Sequence, residues 1–158
     1  MRFVFIIVVT TVTTFCHSVA FGQSSTDQKA QSPFEGVWLT KNGDSHVKIS
    51  HCEKTLCNEI IWLKEPNDKK GKPHTDKLNK NPKERGRPII GIPILLNMHQ
   101  VSKTMWKGRL YKPRDGKSYK GHVRLINAQK LEVKGCHAVF PICKTQIWKK
   151  VGELEATN

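Results

Sequence analysis

The side chains best suited to chemistry are concentrated in residues 64–88, a stretch rich in lysine, proline and glycine. Arg85 and Arg87 can each hold a carboxylate or a phosphate through two parallel hydrogen bonds, and Asp76 is the acidic partner that we expect for them. Asn81 can accept hydrogen bonds from the backbone of a following turn. Two interpretations are open. Either these four side chains build a structural cap, or the stretch gates a site where the arginines bind an anionic group.

Motifs of the common catalytic classes are absent from the sequence. It contains no Gly-x-Ser-x-Gly nucleophile turn, no His-Glu-x-x-His zinc motif and no phosphate-binding glycine loop. His74 and His99 are typical of surface histidines. We therefore predict no catalytic residues, no metal site and no cofactor. An enzyme is a third hypothesis, and it requires Asp76, Arg85 and a histidine to converge in one cleft.

Four cysteines follow the N-terminal apolar segment, namely Cys52, Cys57, Cys136 and Cys143. An even number of cysteines in an oxidising compartment favours disulfides. Of the three pairings we predict the local one, Cys52–Cys57 and Cys136–Cys143, because each pair brackets a short turn between two predicted strands. A metal site is the alternative, but spacings of four and six intervening residues differ from the roughly two to four that zinc sites favour.

Residues 1–22 have the form of a secretory signal peptide, with an early arginine, an apolar run and small residues before Gly22. We predict cleavage near Gly22, a disordered polar linker at 23–32, one domain at 33–152 and a flexible tail at 153–158. No later apolar segment reaches the ~18 residues of a membrane helix, so we predict no transmembrane segment after cleavage. The mature protein is predicted to be periplasmic or secreted.

Apolar and charged residues alternate along most of the remaining chain. Leu131 and Val133, for example, are separated by Glu132 and followed by Lys134. A period of two with one apolar and one charged face predicts antiparallel strands that cover a core. We predict strands near 36–41, 46–52, 57–63, 89–96, 104–112, 117–126, 130–137 and 143–151. Short connections favour an all-β, antiparallel up-and-down β-barrel of about eight strands, with one long loop at about 64–88.

The positions of tryptophan favour a particular kind of barrel. Gly36 and Trp38 form a Gly-x-Trp sequence on the first predicted strand, and Trp148 is followed by two lysines on the last. Lipocalin-like barrels resemble this arrangement, since they carry Gly-x-Trp on the first strand with a basic residue laid over the indole. Such a barrel can enclose one small ligand. We include Trp38 and Trp106 with the four loop residues as candidate ligand-binding residues.

Several further blocks of sequence resemble one bacterial family. They are Gly-x-Trp-Leu, Cys-x4-Cys followed by Ile-Ile-Trp-Leu, the Asn-Pro and Arg-x-Arg-Pro block at 81–88, Trp-Lys-Gly-Arg-Leu-Tyr at 106–111 and Asp-Gly-Lys-x-Tyr at 115–119. Over about residues 34–151 the chain is similar to the secreted family catalogued as domain of unknown function 2147. The resemblance implies an exported lipocalin-like or calycin-like barrel with no established reaction.

The chain departs from the pattern of that family at three positions. Lys77 stands where the family commonly has a second aspartate, and Asn58 where it usually has glycine. Lys150 stands where the final Trp-x-Arg of the family has arginine. The departure at Lys77 weakens any shared acidic site and adds to the positive charge.

The formal net charge is +14, and it falls by one once Arg2 leaves with the signal peptide. Lysine on outward strand faces is typical of a solvated surface that protects sheet edges. Nucleic acid is not a predicted partner, because an exported protein rarely meets it and a basic stripe with exposed aromatic residues is only faint.

We predict an exported β-barrel binding protein for an apolar or amphipathic small molecule. The alternative is a basic envelope-associated protein that binds anionic surfaces such as lipid headgroups, lipopolysaccharide or a host surface.

Overall fold

The computed structural model describes residues 32–137 and 142–152. The predicted signal peptide at 1–22 with its cleavage near Gly22, all but the last residue of the predicted linker at 23–32, and the predicted tail at 153–158 lie outside the described residues.

The described residues form eight antiparallel strands in one sheet of order β3-β2-β1-β8-β7-β6-β5-β4. The strands are β1 Gly36–Leu39, β2 Ser45–Cys52, β3 Thr55–Leu63, β4 Leu95–Ser102, β5 Met105–Lys112, β6 Lys117–Asn127, β7 Lys130–Cys136 and β8 Cys143–Lys150. The first strand pairs with the last, so the sheet curves round into a nearly closed barrel. The prediction of an all-β, up-and-down barrel of about eight strands is confirmed.

Cross-strand register places apolar residues opposite one another inside the barrel. Val123 lies opposite Val133, and Leu131 lies opposite Trp148. All four side chains are buried. The period of two in the sequence is therefore the alternation between the barrel interior and solvent.

Side chains join β3 to β4, where the two ends of the sheet meet. The Oδ1 atom of Asn58 accepts from the N–H groups of Ile94 and Leu95 at 2.8 and 2.9 Å, and its Nδ2 donates to the Leu95 carbonyl at 2.7 Å. The Thr55 hydroxyl donates to the Met98 carbonyl at 2.8 Å. These bonds take the place of a regular ladder, so Asn58 is part of the barrel closure.

The fourth strand runs over Leu95–Ser102 rather than the predicted 89–96. Pro88 and Pro93 lie within or beside the apolar run that suggested a strand, and proline has no N–H for a ladder. Within the true strand, Asn97 has a φ of 51° and lies at a register shift. Such an irregularity breaks the period of two, so residues 97–102 show no clear strand pattern in the sequence.

Aromatic side chains fill one end of the barrel, which we call the closed end. Trp38 is fully buried, and its Nε1 donates to the carbonyl of the buried Phe34 at 2.9 Å. The ring of Phe34 meets Trp106 edge-on, with centroids 6.4 Å apart. The Lys150 ammonium lies 5.4 Å from the Trp38 ring centroid, within cation–π range. Gly36 has a φ of 128°, and a Cβ there would lie 2.7 Å from Lys150 Cε, so glycine allows the lysine to reach the indole.

Both predicted disulfides are present. Cys52–Cys57 joins β2 to β3 at the closed end, with the two Cα atoms 5.5 Å apart. Cys136–Cys143 joins β7 to β8 at the other end, with Cα atoms 4.0 Å apart. Each bridge spans a single hairpin, as the local pairing predicts.

The opposite end of the barrel, which we call the mouth, carries the β1–β2, β5–β6 and β7–β8 turns and the long connection 64–94. This connection contains a short 3-10 helix, Pro82–Glu84, and isolated bridges that pair Asn67 with Pro73 and Thr75 with Pro88. Over the described part of the chain, no helix has the length and apolar character needed to cross a bilayer.

Candidate functional site

A cavity opens at the mouth of the barrel, between the strand ends and the long connection. Its volume is about 1410 Å³, which exceeds the roughly 300–1,000 Å³ of most ligand pockets because the cavity is continuous with solvent. Apolar side chains form its wall, namely Ile60, Leu63, Ile89, Ile94, Leu95, Leu110, Val133 and Trp148. Such a wall stabilises the apolar surface of a ligand by removing it from water.

Two glycines keep part of this wall flat. Gly121 and Gly135 lie opposite each other on β6 and β7. A Cβ at Gly121 would lie 2.9 Å from Leu110 Cδ1, and one at Gly135 would lie 3.2 Å from the same atom. Leu110 therefore packs directly against both glycines. A Cβ at Gly121 would also clash with the Lys134 carbonyl oxygen, so the backbone itself leaves no room for a larger residue there.

Positive charge predominates around the cavity. Five lysine or arginine side chains line it, Lys64, Lys77, Lys112, Arg114 and Lys144, against the two carboxylates of Asp44 and Glu65. Arg114 forms an ion pair with Asp44 at 3.1 Å, and Lys112 forms one with Asp115 at 3.0 Å. The other three lysines form no ion pair with any carboxylate of residues 32–137 and 142–152.

Asp76, a predicted site residue, is fully buried beneath the long connection. Its Oδ2 accepts from Asn79 Nδ2 at 2.7 Å and from Arg87 Nε and Nη2 at 3.2 and 3.0 Å. Its Oδ1 accepts from the Tyr111 hydroxyl on β5 at 2.5 Å. The carboxylate thus fastens the connection to the barrel wall, and these four hydrogen bonds occupy the lone pairs that a ligand would need.

The remaining predicted loop residues also contact the loop itself. Arg87 Nη1 forms a second ion pair with Glu84 Oε2 at 2.9 Å. Arg85 Nε donates to the Asn79 carbonyl at 2.8 Å. Asn81 Oδ1 accepts from a backbone N–H of the 3-10 helix at 3.2 Å. None of these residues is among the described residues that line the cavity, and their contacts are those of the structural interpretation. Ligand binding by the arginines stays a prediction.

The two tyrosines at the mouth are each held by a carboxylate. Burial, together with the hydrogen bond to Asp76, raises the pKa of Tyr111 to about 12. Tyr119 donates to Asp115 at 2.8 Å, and this bond raises the pKa of Tyr119. Burial opposes ionisation of Asp115, but hydrogen bonds from Lys112, Tyr119 and a backbone N–H outweigh it and lower the pKa of that carboxyl. Both hydroxyls are thereby committed to the protein's own carboxylates.

The two predicted tryptophans lie at the closed end, away from the cavity. Trp38 contacts Phe34 and Lys150, as described above. Trp106 is 2% exposed, and its ring centroid lies 5.8 Å from that of His51. Neither tryptophan is among the described residues that line the cavity. The ligand-binding role predicted for them stays a prediction.

Sequence reasoning did not select the residues that line the cavity. A signal for some of them was present, because Lys144 and Trp148 are four residues apart on β8 and a period of two places them on the same face. Leu110 on β5 and Val133 on β7 likewise occupy positions of the alternating pattern that face the barrel interior. Lys64 and Lys77 lie outside the strands, and no periodic pattern marks them.

The disulfides and the arrangement of metal-ligating side chains bear on the expectations of export and of a metal site. Two disulfides fit an exported protein. Within 32–137 and 142–152, no group of three or more His, Cys, Asp or Glu side chains is arranged to hold a metal ion.

Comparison with known proteins agrees with the fold. Among solved structures, protein HP1028 from the human pathogen Helicobacter pylori, described as belonging to the lipocalin family, superposes with a TM-score of 0.65. The two sequences are 26% identical, and the match covers 77% of this chain and 84% of that one. No match was found among curated proteins. The model of the family described as "uncharacterized protein conserved in bacteria (DUF2147)" matches residues 36–150, and the chain belongs to this family.

Proposed function

We propose that this protein is an exported, non-catalytic binding protein that holds an apolar or amphipathic small molecule in the mouth of its barrel. The observation that carries the proposal is the cavity of about 1410 Å³ with its apolar wall. The similarity to a lipocalin-family structure and the two disulfides support it.

The wall is large enough to make binding favourable. When roughly 200 Å² of the apolar surface of an alkyl chain is removed from water, the free energy of binding becomes more favourable by about 5 kcal/mol, at 25 cal/mol per Å². Part of this gain offsets the loss of translational and rotational freedom on association. A ligand therefore needs to contact several wall residues at once, and Leu110, Val133 and Trp148 lie on three different strands.

Fluorescence of the uncharged dye 1-N-phenylnaphthylamine tests the proposal. We expect the dye to brighten saturably with the wild-type protein and to lose affinity by about tenfold in Leu110→Trp, because the larger side chain fills the cavity. Arg109→Trp is the matched control, since Arg109 is the exposed neighbour on the same strand. Circular dichroism and the urea midpoint establish that both variants are folded.

Absence of saturable dye binding to the folded wild type would overturn the proposal, and so would equal losses in the two variants. If the dye binds as expected, mass spectrometry of small molecules extracted from protein purified from its native envelope would identify the ligand class.

A second candidate function, binding to anionic surfaces, is favoured by the composition of the mouth. Leu78 and Ile142 line it and are 51% and 67% exposed, beside unpaired lysines. This function predicts adsorption to anionic vesicles that weakens as the Debye length falls from ~10 Å at about 0.1 M salt to ~3 Å at about 1 M. Equal adsorption at the two salt concentrations would exclude a charge-driven contact.

A further inference from the structure

We propose that the cavity selects amphiphiles with an anionic head group, a carboxylate or a phosphate, and that Lys64, Lys77 and Lys144 hold this group at the mouth. The inference rests on the proposed function, since it assumes that the cavity binds a small molecule. It adds the chemical class of the ligand and the residues that distinguish it.

The geometry of β8 places a cation directly above the apolar wall. Lys144, Gln146 and Trp148 share one strand face, and Trp148 is buried in the cavity wall. Lys144 is exposed and lies opposite Gly135, which has no side chain to obstruct it. Four residues of strand span about 13 Å. A ligand tail that reaches Trp148 therefore has its head at the level of Lys144.

Most carboxylates around the mouth are already paired within the protein, so lysines predominate among the charges that remain for a head group. Asp44 is paired with Arg114, and Asp115 is paired with Lys112. Asp76 is buried within its own hydrogen bonds. Among the described residues, the unpaired charges that line the cavity are therefore three lysines and the exposed Glu65.

An excess of one sign of charge around a cleft raises the local concentration of the opposite sign and favours its binding. Lysine suits this role, because its ammonium sits on a flexible stem and offers three donors to an oxyanion. A neutral head group gains little from such a rim, and a cationic one is repelled by it.

Competition against the bound dye 1-N-phenylnaphthylamine tests the inference. The competitors are dodecanoate, 1-dodecanol and dodecyltrimethylammonium, which share one tail and differ in charge. We expect dodecanoate to displace the dye about tenfold better than 1-dodecanol at ~0.1 M salt, and this preference to shrink at about 1 M. The ammonium compound is expected to be the weakest competitor.

A pair of triple variants locates the effect. Lys64→Gln/Lys77→Gln/Lys144→Gln should reduce the preference for dodecanoate to less than about threefold, with each competitor measured against the dye affinity of the variant itself. The control variant removes the same charge from three lysines that are exposed on the outer strand faces, through Lys48→Gln, Lys107→Gln and Lys120→Gln. It should keep the preference for dodecanoate over 1-dodecanol. The single variant Lys144→Gln provides a milder test of the same site.

The outcomes separate the inference from the proposed function. If the wild type binds the dye but does not prefer dodecanoate, or if both triple variants lose the preference equally, the inference is wrong and the proposed function stands. If the folded wild type binds neither the dye nor any competitor, the proposed function fails and the inference fails with it. A preference lost only in the mouth variant supports both.

Discussion

Replacement of Asp76 by alanine should detach the long connection from the barrel. The carboxylate is fully buried and accepts four hydrogen bonds from Arg87, Asn79 and Tyr111. Removal of one partner of a buried ion pair costs about 3–5 kcal/mol, because the other charge is left without compensation. The Arg87 side chain is 36% exposed, so water recovers part of this loss. We therefore expect Asp76→Ala to lower the free energy of unfolding by about 3 kcal/mol.

Urea denaturation with both disulfides intact measures this change, with tryptophan fluorescence as the signal. With a urea m-value of about 1.5 kcal/mol per M, the midpoint should fall by about 2 M. Tyr111→Phe removes only the hydrogen bond from β5 to the carboxylate and should cost about 1.5–3 kcal/mol. Because the defect begins in the connection, trypsin should cleave the lysine-rich residues 64–88 of Asp76→Ala at urea concentrations where the barrel is still folded.

The matched control is Asp68→Ala, an exposed aspartate in the same connection that accepts hydrogen bonds from the N–H groups of Lys70 and Lys72. Its midpoint should stay close to that of the wild type. Equal midpoint shifts for Asp68→Ala and Asp76→Ala would refute the reasoning, because burial and the ion pair would then have no special weight. A change in m-value would instead indicate that the variant alters the compactness of the native or denatured state.

Three further predictions concern separate parts of the barrel. Tyr111 and Tyr119 are the two tyrosines of the chain, so tyrosinate absorbance of Tyr119→Phe should report Tyr111 alone. It should rise near pH 12, because burial first and the Asp76 carboxylate second raise the pKa of Tyr111 to about 12. The stability from this group is complete below pH 10 and is lost as the pH rises to 12, and titration near pH 10 would contradict the half-buried position bonded to Asp76. Hydrogen bonds from an arginine and a histidine lower the pKa of Glu132 to about 2, so the stabilisation from this carboxylate is present above pH 4.5 and lost as the pH falls to 2. The urea midpoint of Glu132→Gln should therefore fall less between pH 4.5 and 2 than that of the wild type. Plots of midpoint against pH that run parallel for the two proteins would disprove this role. Gly36→Ala should lower the free energy of unfolding by about 1–3 kcal/mol, because the φ of Gly36 is positive and a Cβ would meet the lysine over Trp38. Thermal unfolding measures this change, with Gly152→Ala as the control because that position has open space for a Cβ. Similar melting temperatures for the two variants would count against the strain.

Local patterns in the sequence were sufficient for most strands and for the disulfides. Leu131 and Val133 alternate with charged residues, and this alternation survives unchanged as buried and outward positions on β7. Cys136 and Cys143 are seven residues apart, so a hairpin brings them together whatever the rest of the chain does. The fourth strand was misplaced because Asn97, with its positive φ, interrupts the period of two that defines a strand in sequence.

The site depended on contacts between residues distant in sequence. Asp76 was recognised as a partner of arginine from residue type, but its bond to Tyr111 spans 35 positions and left no local signal. The structure uses that bond to hold the connection rather than to present the carboxylate to the cavity.

By itself the sequence determined most of the strands, their inward faces and the local disulfides, because each of these depends on neighbours a few residues apart. Only the tertiary structure decided which end of the barrel is filled and which is open. Trp38 contacts Phe34 and Lys150 at the closed end because β8 pairs with β1. Lys144 lies at the other end of β8, at the mouth of the barrel. The closure of the barrel sets these positions, and closure is a property of all eight strands together.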